Sequence, residues 1–408
     1  MVDFSHLQEL LSDPAVQELL ASLRSASIEG RLVGGCVRDA LLGFPCADID
    51  IAVDRPPNDV LESLQKANLR VIPTGLQHGT LTVLVRGRAI EVTSLRQDVV
   101  TDGRHAEVRF TSAWEEDAAR RDFTFNALYC DASGQIYDYF SGLDDLTTHT
   151  LRFIGDPSQR IQEDFLRILR YYRFQLRYGQ DLHEASHKAV RTYVPQLPHL
   201  SNERIQAELI KIVSHPEPVT IVRLMDEDGV FETLFGVKAR TDVLEQWRAT
   251  QQTLEASRPA ALEVPFAWGK LFALFPQPAE FFQRSLRLSR KEAHLLTTLH
   301  QQEHKDLSAV NLFALRFEEG DALAWLWLLT KSLNSPVRND LLEAFQTPLP
   351  AFPLKGADLI ADGLASGPDV GRLFKACQQQ WIQQQGKWSH KDCLAFCRSQ
   401  TCPKTRKV

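Results

Sequence analysis

The chain has 408 residues, 44% of them hydrophobic and 24% charged, an ordinary globular composition with room for two or three domains. Its formal net charge of −6 excludes an all-round basic nucleic-acid binder, yet allows a basic face on an acidic chain. Seven scattered cysteines without a CxxC pair indicate a reduced, cytoplasmic protein, and no apolar stretch is long enough to place the chain in a membrane.

Residues 1–29 carry Leu7, Leu10, Leu11, Leu19, Leu20 and Leu23 at helical spacing and read as an amphipathic segment, without the features of a signal peptide. From Arg31 to about Asp138 the pattern is mixed. "DIDIAV" (Asp48–Val53) alternates as a strand does, "TLTVLV" and "RAIEVTSL" flank an Arg86-Gly87 turn, and "IYDYF" is a further short strand. Arg96–Phe110 is polar, has one glycine and reads as a loop. After Gly155 helix follows helix, interrupted by prolines such as Pro195, Pro198, Pro216 and Pro218. The expected fold class is α+β: an N-terminal helical segment (1–29), a small head with a mixed sheet (30–150), helices over 151–215, and a helical body and tail over 216–408.

Three segments carry chemistry. In "VGGCVRDALLGFPCADIDIAV" (Val33–Val53), strand alternation puts Asp48 and Asp50 on one face and Ile49 and Ile51 on the other. Paired carboxylates repel unless a cation sits between them, and Mg²⁺ takes carboxylate and phosphate oxygens together. Gly34 and Gly35 let a phosphate approach the backbone, and Arg38 could hold its oxygens. Glu91 is the candidate third carboxylate; a surface strand glutamate is the alternative.

In "EEDAARRDFTFNALYCD" (Glu115–Asp131), Arg120 and Arg121 point about 100° apart on a helix, so one can face a site while the other pairs with Glu116 or Asp117. In "IGDPSQRIQEDFLRILRYYRFQLRYG" (Ile154–Gly179), Asp156 and Pro157 form a helix start. Ile161, Phe165, Ile168, Leu169, Tyr172 and Leu176 share one face of the expected helix. Arg160, Arg167, Arg170, Arg173 and Arg177 fill the opposite face, more charge than Glu163 and Asp164 neutralise, so phosphates are expected partners. In the tail, His390, Cys393, Cys397 and Cys402 match no familiar zinc spacing.

"GGCVRDALLGFPCADID", "RRDFTFNAL", "EDFLRILRYYRF" and "SNERIQAELIKIV", in this order, resemble the class II tRNA nucleotidyltransferases (CCA-adding enzymes) and the related bacterial poly(A) polymerases. The resemblance covers residues 30–215. It implies a polymerase-β-like head, a helical neck, and a tRNA-binding body and tail. It implies Mg²⁺ on Asp48 and Asp50, while Glu91 stays the candidate third carboxylate. Gly34, Gly35, Arg38, Arg121, Asp122 and Asn126 would serve the nucleotide's phosphates and sugar. Asp164 and Arg167 would read the base, supported by Arg170 and Arg173. A carboxylate and a guanidinium match the amino donor and ring-nitrogen acceptor that cytosine and adenine share, and mismatch guanine and uracil.

The implied substrates are CTP, ATP and the tRNA 3′ end and acceptor arm. The segment Arg96–Phe110 occupies the place of the family's flexible loop, which favours addition of all three nucleotides over CC alone. No HD phosphohydrolase signature is present, nor an arginine-rich element of the poly(A) polymerase kind before the glycine pair. A-adding, CC-adding and poly(A)-adding enzymes stay open at this point, as does a non-catalytic tRNA-binding protein.

Overall fold

The structure, a computed structural model, describes residues 3–46, 48–101, 106–333, 335–336, 338–364 and 367–400. They form two units, Met1–Ile212 with Arg223–Lys238, and Val213–Val222 with Ala239–Val408. Segment 223–238 thus packs with the first unit, although the sequence pattern assigns it to the body.

The first unit opens with two helices, not one segment: α1 (Ser5–Ser12) and α2 (Pro14–Ser25). Asp13 separates them because its carboxylate caps α2, accepting from the N–H groups of Ala15 and Val16, and Pro14 cannot continue α1. Next come β1 (Gly30–Val33), α3 (Gly35–Leu41), β2 (Asp50–Val53), α4 (Pro57–Lys66), β3 (Arg70–Gly75), β4 (Thr80–Val85) and β5 (Arg88–Ser94). The β4–β5 hairpin turns on Arg86 and Gly87, both at positive φ (51° and 79°), the turn whose twist matches the strands.

The expected loop is a separate antiparallel ribbon of β6 (Arg96–Thr101) and β7 (Ala106–Phe110), with Arg96 opposite Phe110. Its polar composition hid the pairing, because a ribbon outside the main sheet need not show an alternating apolar face. Then follow α5 (Trp114–Ala119), β8 (Leu128–Cys130), β9 (Ile136–Asp138) and α6 (Gly142–Thr147).

The main sheet has seven strands in the order β3-β4-β5-β2-β1-β8-β9. Its pairs are antiparallel except β2 with β5, which run parallel with Asp50 opposite Glu91. β2 is buried from Ile51 to Val53, which explains its apolar run.

Helices α7 (Pro157–Glu163), α8 (Leu166–Tyr178), α9 (Glu184–Tyr193) and α10 (Asn202–Ser214) complete the first unit with segment 223–238. The expected single helix after Asp156 is two, because Asp164 is extended (φ −156°, ψ 105°) and its carboxylate caps the next turn at the N–H of Leu166. Phe123 and Phe125 pack against Phe174 and Tyr178, with ring centroids 5.3 and 5.7 Å apart for Phe123–Phe174 and Phe125–Tyr178. This aromatic contact seats α8 on the head.

Among its described residues the second unit has helices joined by irregular segments and no strand, and "ALAWLWLL" lies in the helix Asp321–Ser332, buried from Leu323 to Leu329. In the tail, Cys377, Cys393 and Cys397 are buried thiols around Trp381, while His390 pairs with Asp358. Cys402 and the basic chain end lie outside the described residues. Among those residues no helix is long and apolar enough to cross a membrane.

Candidate active site

Three pieces of backbone build the site: the turn from β1 into α3, the parallel pair β2–β5, and the segment Arg120–Asn126. Gly34 has φ +71°, and a Cβ there would stand 3.2 Å from Arg121 Nη1. A hydrogen at this position is what lets the guanidinium lie against the turn. Gly35 opens α3, where a Cβ would reach within 3.7 Å of Arg38 Nη2.

β2 begins at Asp50, so Asp48 lies just ahead of the strand, exposed, and not within it as the alternation implied. Asp50 is half-buried, and the parallel register sets Glu91 beside it. Burial, then Glu91, pushes the Asp50 carboxyl up to about 6, with Asp48 adding to the rise and Arg121 opposing it. Three acids and one arginine therefore share a field with a surplus of negative charge. That donor set fits a hard divalent cation. Among the described residues no three acidic, histidine or cysteine side chains cluster closely enough to hold a metal alone. Two carboxylates with substrate phosphates completing the shell is the arrangement that remains consistent.

Arg121 leans on Asp117, with Nη2 3.0 Å from Oδ2, and Arg120 takes the other oxygen at 2.8 Å. Both arginines thus share one buried carboxylate. Tyr129 donates its hydroxyl to the same group and the Arg96 N–H reaches it as well. Despite its burial, Asp117 is held well below the ordinary carboxylate range by Arg121 and Arg120.

Asp122 and Asn126 are buried beneath them. The Asn126 amide donates to Asp122 and accepts from Arg38 Nη1 at 2.5 Å. Arg170 places Nε and Nη2 on Asp122. Burial would raise Asp122, but Arg170, Asn126 and the Phe123 N–H bring it down to about 2. Around Phe174 stand three guanidinium carbons, those of Arg38, Arg170 and Arg173, at 5.2, 5.2 and 4.2 Å from the ring centroid. Three arginines thus ring one aromatic face, each paired with a carboxylate: Arg38 with Asp39, Arg170 with Asp122 and Arg173 with Glu208.

The comparisons with known proteins fit this geometry. The Poly A polymerase head domain matches residues 30–152. The probable RNA and SrmB-binding site of polymerase A matches residues 179–237. The mitochondrial CCA tRNA nucleotidyltransferase 1 of Mus musculus is 34% identical over 384 residues, 90% of this chain and 86% of that protein. The CCA-adding enzyme of Lacticaseibacillus paracasei is 32% identical over 89% of this chain and 90% of its own. The crystal structure of the Bacillus stearothermophilus CCA-adding enzyme in complex with CTP superposes with a TM-score of 0.76 at 27% identity, covering 97% of both chains. The chain belongs to the CCA-adding tRNA nucleotidyltransferases.

In this nucleotidyltransferase the five helix arginines do not form a free outer face. Each has a carboxylate: Arg160 and Arg167 share Glu163, Arg170 has Asp122, Arg173 has Glu208, and Arg177 has Asp39. Triphosphate oxygens would compete with these acids for the guanidinium groups. Asp164 and Arg167 do not sit on one continuous helix, since the helix is interrupted at Asp164. Asp164 pairs with Arg204 of α10 at 2.7 Å, and Arg167 with Glu163 at 2.6 Å.

Arg167 Nη2 also reaches the Arg120 carbonyl oxygen, which ties α8 to the segment Arg120–Asn126. Sequence reasoning did not find the parts played by Asp39, Tyr129, Phe174, Arg204 and Glu208. For Arg204 and Glu208 the one signal was their place within "SNERIQAELIKIV".

Proposed function

We propose that this enzyme adds CMP, CMP and AMP in turn to the tRNA 3′ end, using CTP and ATP and releasing pyrophosphate, without a nucleic-acid template. The observation that carries this reading is the convergence on Arg120–Arg121–Asp122. Asp50 with Glu91 lies on its head side, and the arginines of α7 and α8 lie on its neck side.

Asp48 and Asp50 are the residues to hold a divalent cation, with Mg²⁺ the ion best suited to carboxylate and phosphate oxygens. When bound, such a cation supplies Lewis-acid polarisation of the α-phosphate and of the attacking 3′-oxygen. Arg121 and Arg38 bind the triphosphate against the glycine turn, and Arg170 and Arg173 add positive charge from α8. Asp122 and Asn126 orient Arg38 and Arg170 through their shared hydrogen bonds and face the sugar. Asp164 accepts from the exocyclic amine, and Arg167 donates to the ring nitrogen, of cytosine or adenine.

The division of labour follows: a head over 30–150 for catalysis, a neck over 151–215 for base selection, and a body and tail over 216–408, apart from segment 223–238 of the first unit, for the tRNA acceptor arm. RNA of this kind is held through shape and phosphate contacts. The free thiols Cys36, Cys46, Cys130, Cys377, Cys393 and Cys397 accord with a cytoplasmic location.

The test is mass analysis of products from tRNAs trimmed by one, two or three 3′ residues, incubated with CTP and ATP. Restoration of a single CCA end is expected. CC alone, A alone, a long A tail, or binding without extension would each overturn the assignment.

A further inference from the structure

Arg160 lies outside the groups assigned to the nucleotide, yet its bonds run to both halves of the site. Its side chain is only 11% exposed. Nη1 pairs with Glu163 Oε2 at 2.6 Å, and Nη2 donates to the Arg121 carbonyl oxygen at 2.7 Å. Arg167 uses the same Glu163 oxygen at 2.6 Å and also donates to the Arg160 carbonyl oxygen at 2.5 Å. Two guanidinium groups therefore share one carboxylate oxygen. Arg160 Nε is buried without a hydrogen-bond partner among the described residues. Burial of a cation beside Arg167, with one donor unused, costs free energy that a merely structural residue need not carry. Among the described contacts, Arg160 spans from the Arg167–Glu163 pair to the backbone of Arg121.

We propose that Arg160 is a positioning residue that couples base selection to the phosphate grip, fixing Arg167 through Glu163 while holding the backbone of Arg121. The inference rests on the reading that Arg167 faces the base and Arg121 the triphosphate. A base that fails to satisfy Arg167 disturbs the shared Glu163 oxygen, and Arg160 passes that disturbance to the segment carrying Arg121. Coupling of this kind needs a planar group that reaches two acceptors at once. An ammonium is a compact point donor and cannot bridge them in the same way.

The discriminating variants are Arg160→Lys and Arg160→Ala, assayed for kcat and KM with CTP, UTP, ATP and GTP on trimmed tRNA. Arg160→Lys keeps a positive charge beside Glu163, so its thermal unfolding should stay within a few degrees of wild type. The ratio of kcat/KM for CTP over UTP is expected to fall by about tenfold or more, with KM for CTP rising less than kcat falls. Arg160→Ala should lose discrimination at least as far. If Arg160→Lys discriminates as wild type does, or if every nucleotide slows by the same factor, the coupling is absent. Arg167→Ala serves as the separate control. Should it leave the CTP-to-UTP ratio unchanged, the base-reading assignment fails by itself, whatever Arg160→Lys does.

Discussion

Arg170 closes on Asp122 with two nitrogens on one carboxylate oxygen, Nε at 2.7 Å and Nη2 at 2.5 Å. The other oxygen takes the N–H of Phe123 and the amide of Asn126. An arginine of α8 thus completes the solvation of an acid buried in the head domain. Removing one member of such a pair strands the other. Asp122→Asn and Arg170→Ala are each expected to cost about 3–5 kcal/mol in chemical denaturation, and the double variant less than their sum.

The same pair fixes an acid dependence. Asp122 titrates at about 2 in the folded chain against an ordinary 3.8. The folded state therefore binds fewer protons between those values. The stabilisation is complete above the ordinary value and is lost as pH falls through about 2. Wild type should lose stability more steeply than Asp122→Asn below pH 4, as read by acid unfolding; parallel curves would contradict the pairing.

Asp48→Asn and Asp50→Asn are each expected to lower nucleotide addition by about a thousandfold or more while trimmed tRNA still binds. Glu91→Gln should cost less, about tenfold, because Glu91 is exposed and acts from the neighbouring strand. Filter binding beside single-turnover addition separates the two effects. Near-normal turnover of Asp50→Asn would remove the cation assignment.

Gly34→Ala tests the close approach at the turn. Its φ of +71° disfavours a side chain, and the added carbon would stand 3.2 Å from Arg121 Nη1. Backbone strain of about 1–3 kcal/mol is expected, together with a raised KM for CTP and ATP as Arg121 is displaced. A stable variant with unchanged KM would show that Arg121 does not use this space.

In the second unit, Lys270 is buried and donates through Nζ to the His215 carbonyl oxygen at 2.9 Å. Burial pushes its ammonium down to about 8 from the ordinary 10.5. Between those values the folded chain has shed a proton that the unfolded chain retains, so stability rises with pH across that window. The cost of the buried charge, roughly 3 kcal/mol at most, is present in full below about pH 8. Lys270→Met should flatten the rise in melting temperature between pH 8 and 10; an unchanged slope would place the effect elsewhere.

Local features were legible in the chain. Ile49 and Ile51 are buried as the alternation required, Arg86-Gly87 makes the hairpin turn, and Asp156 caps the helix that Pro157 opens. The candidate site was less so. Asp48 stands ahead of its strand, and the neighbour of Asp50 is set by the parallel β2–β5 register, which no local pattern encodes. Asp164 broke the expected helix because a short acid can cap the turn that follows it as readily as it can continue the one before. Arg96–Phe110 read as a loop because, among the described residues, β6 and β7 pair with each other and not with the main sheet.

The amino-acid order by itself determined the turns, the caps, the buried strands and the presence of surplus arginines, since these depend on neighbours a few residues away. Arg120 and Arg121 on Asp117, and Arg160 and Arg167 on Glu163, are pairs three or four residues apart, but tertiary structure decided which acid answers the other arginines of α8. Arg173 meets Glu208 at a separation of 35 residues, Arg170 meets Asp122 at 48, and Arg177 meets Asp39 at 138. Charges attract over any sequence distance; the packing of Phe123 and Phe125 against Phe174 and Tyr178 seats α8 where Arg170 reaches Asp122, and the placement of α10 beside α8 gives Arg173 its Glu208.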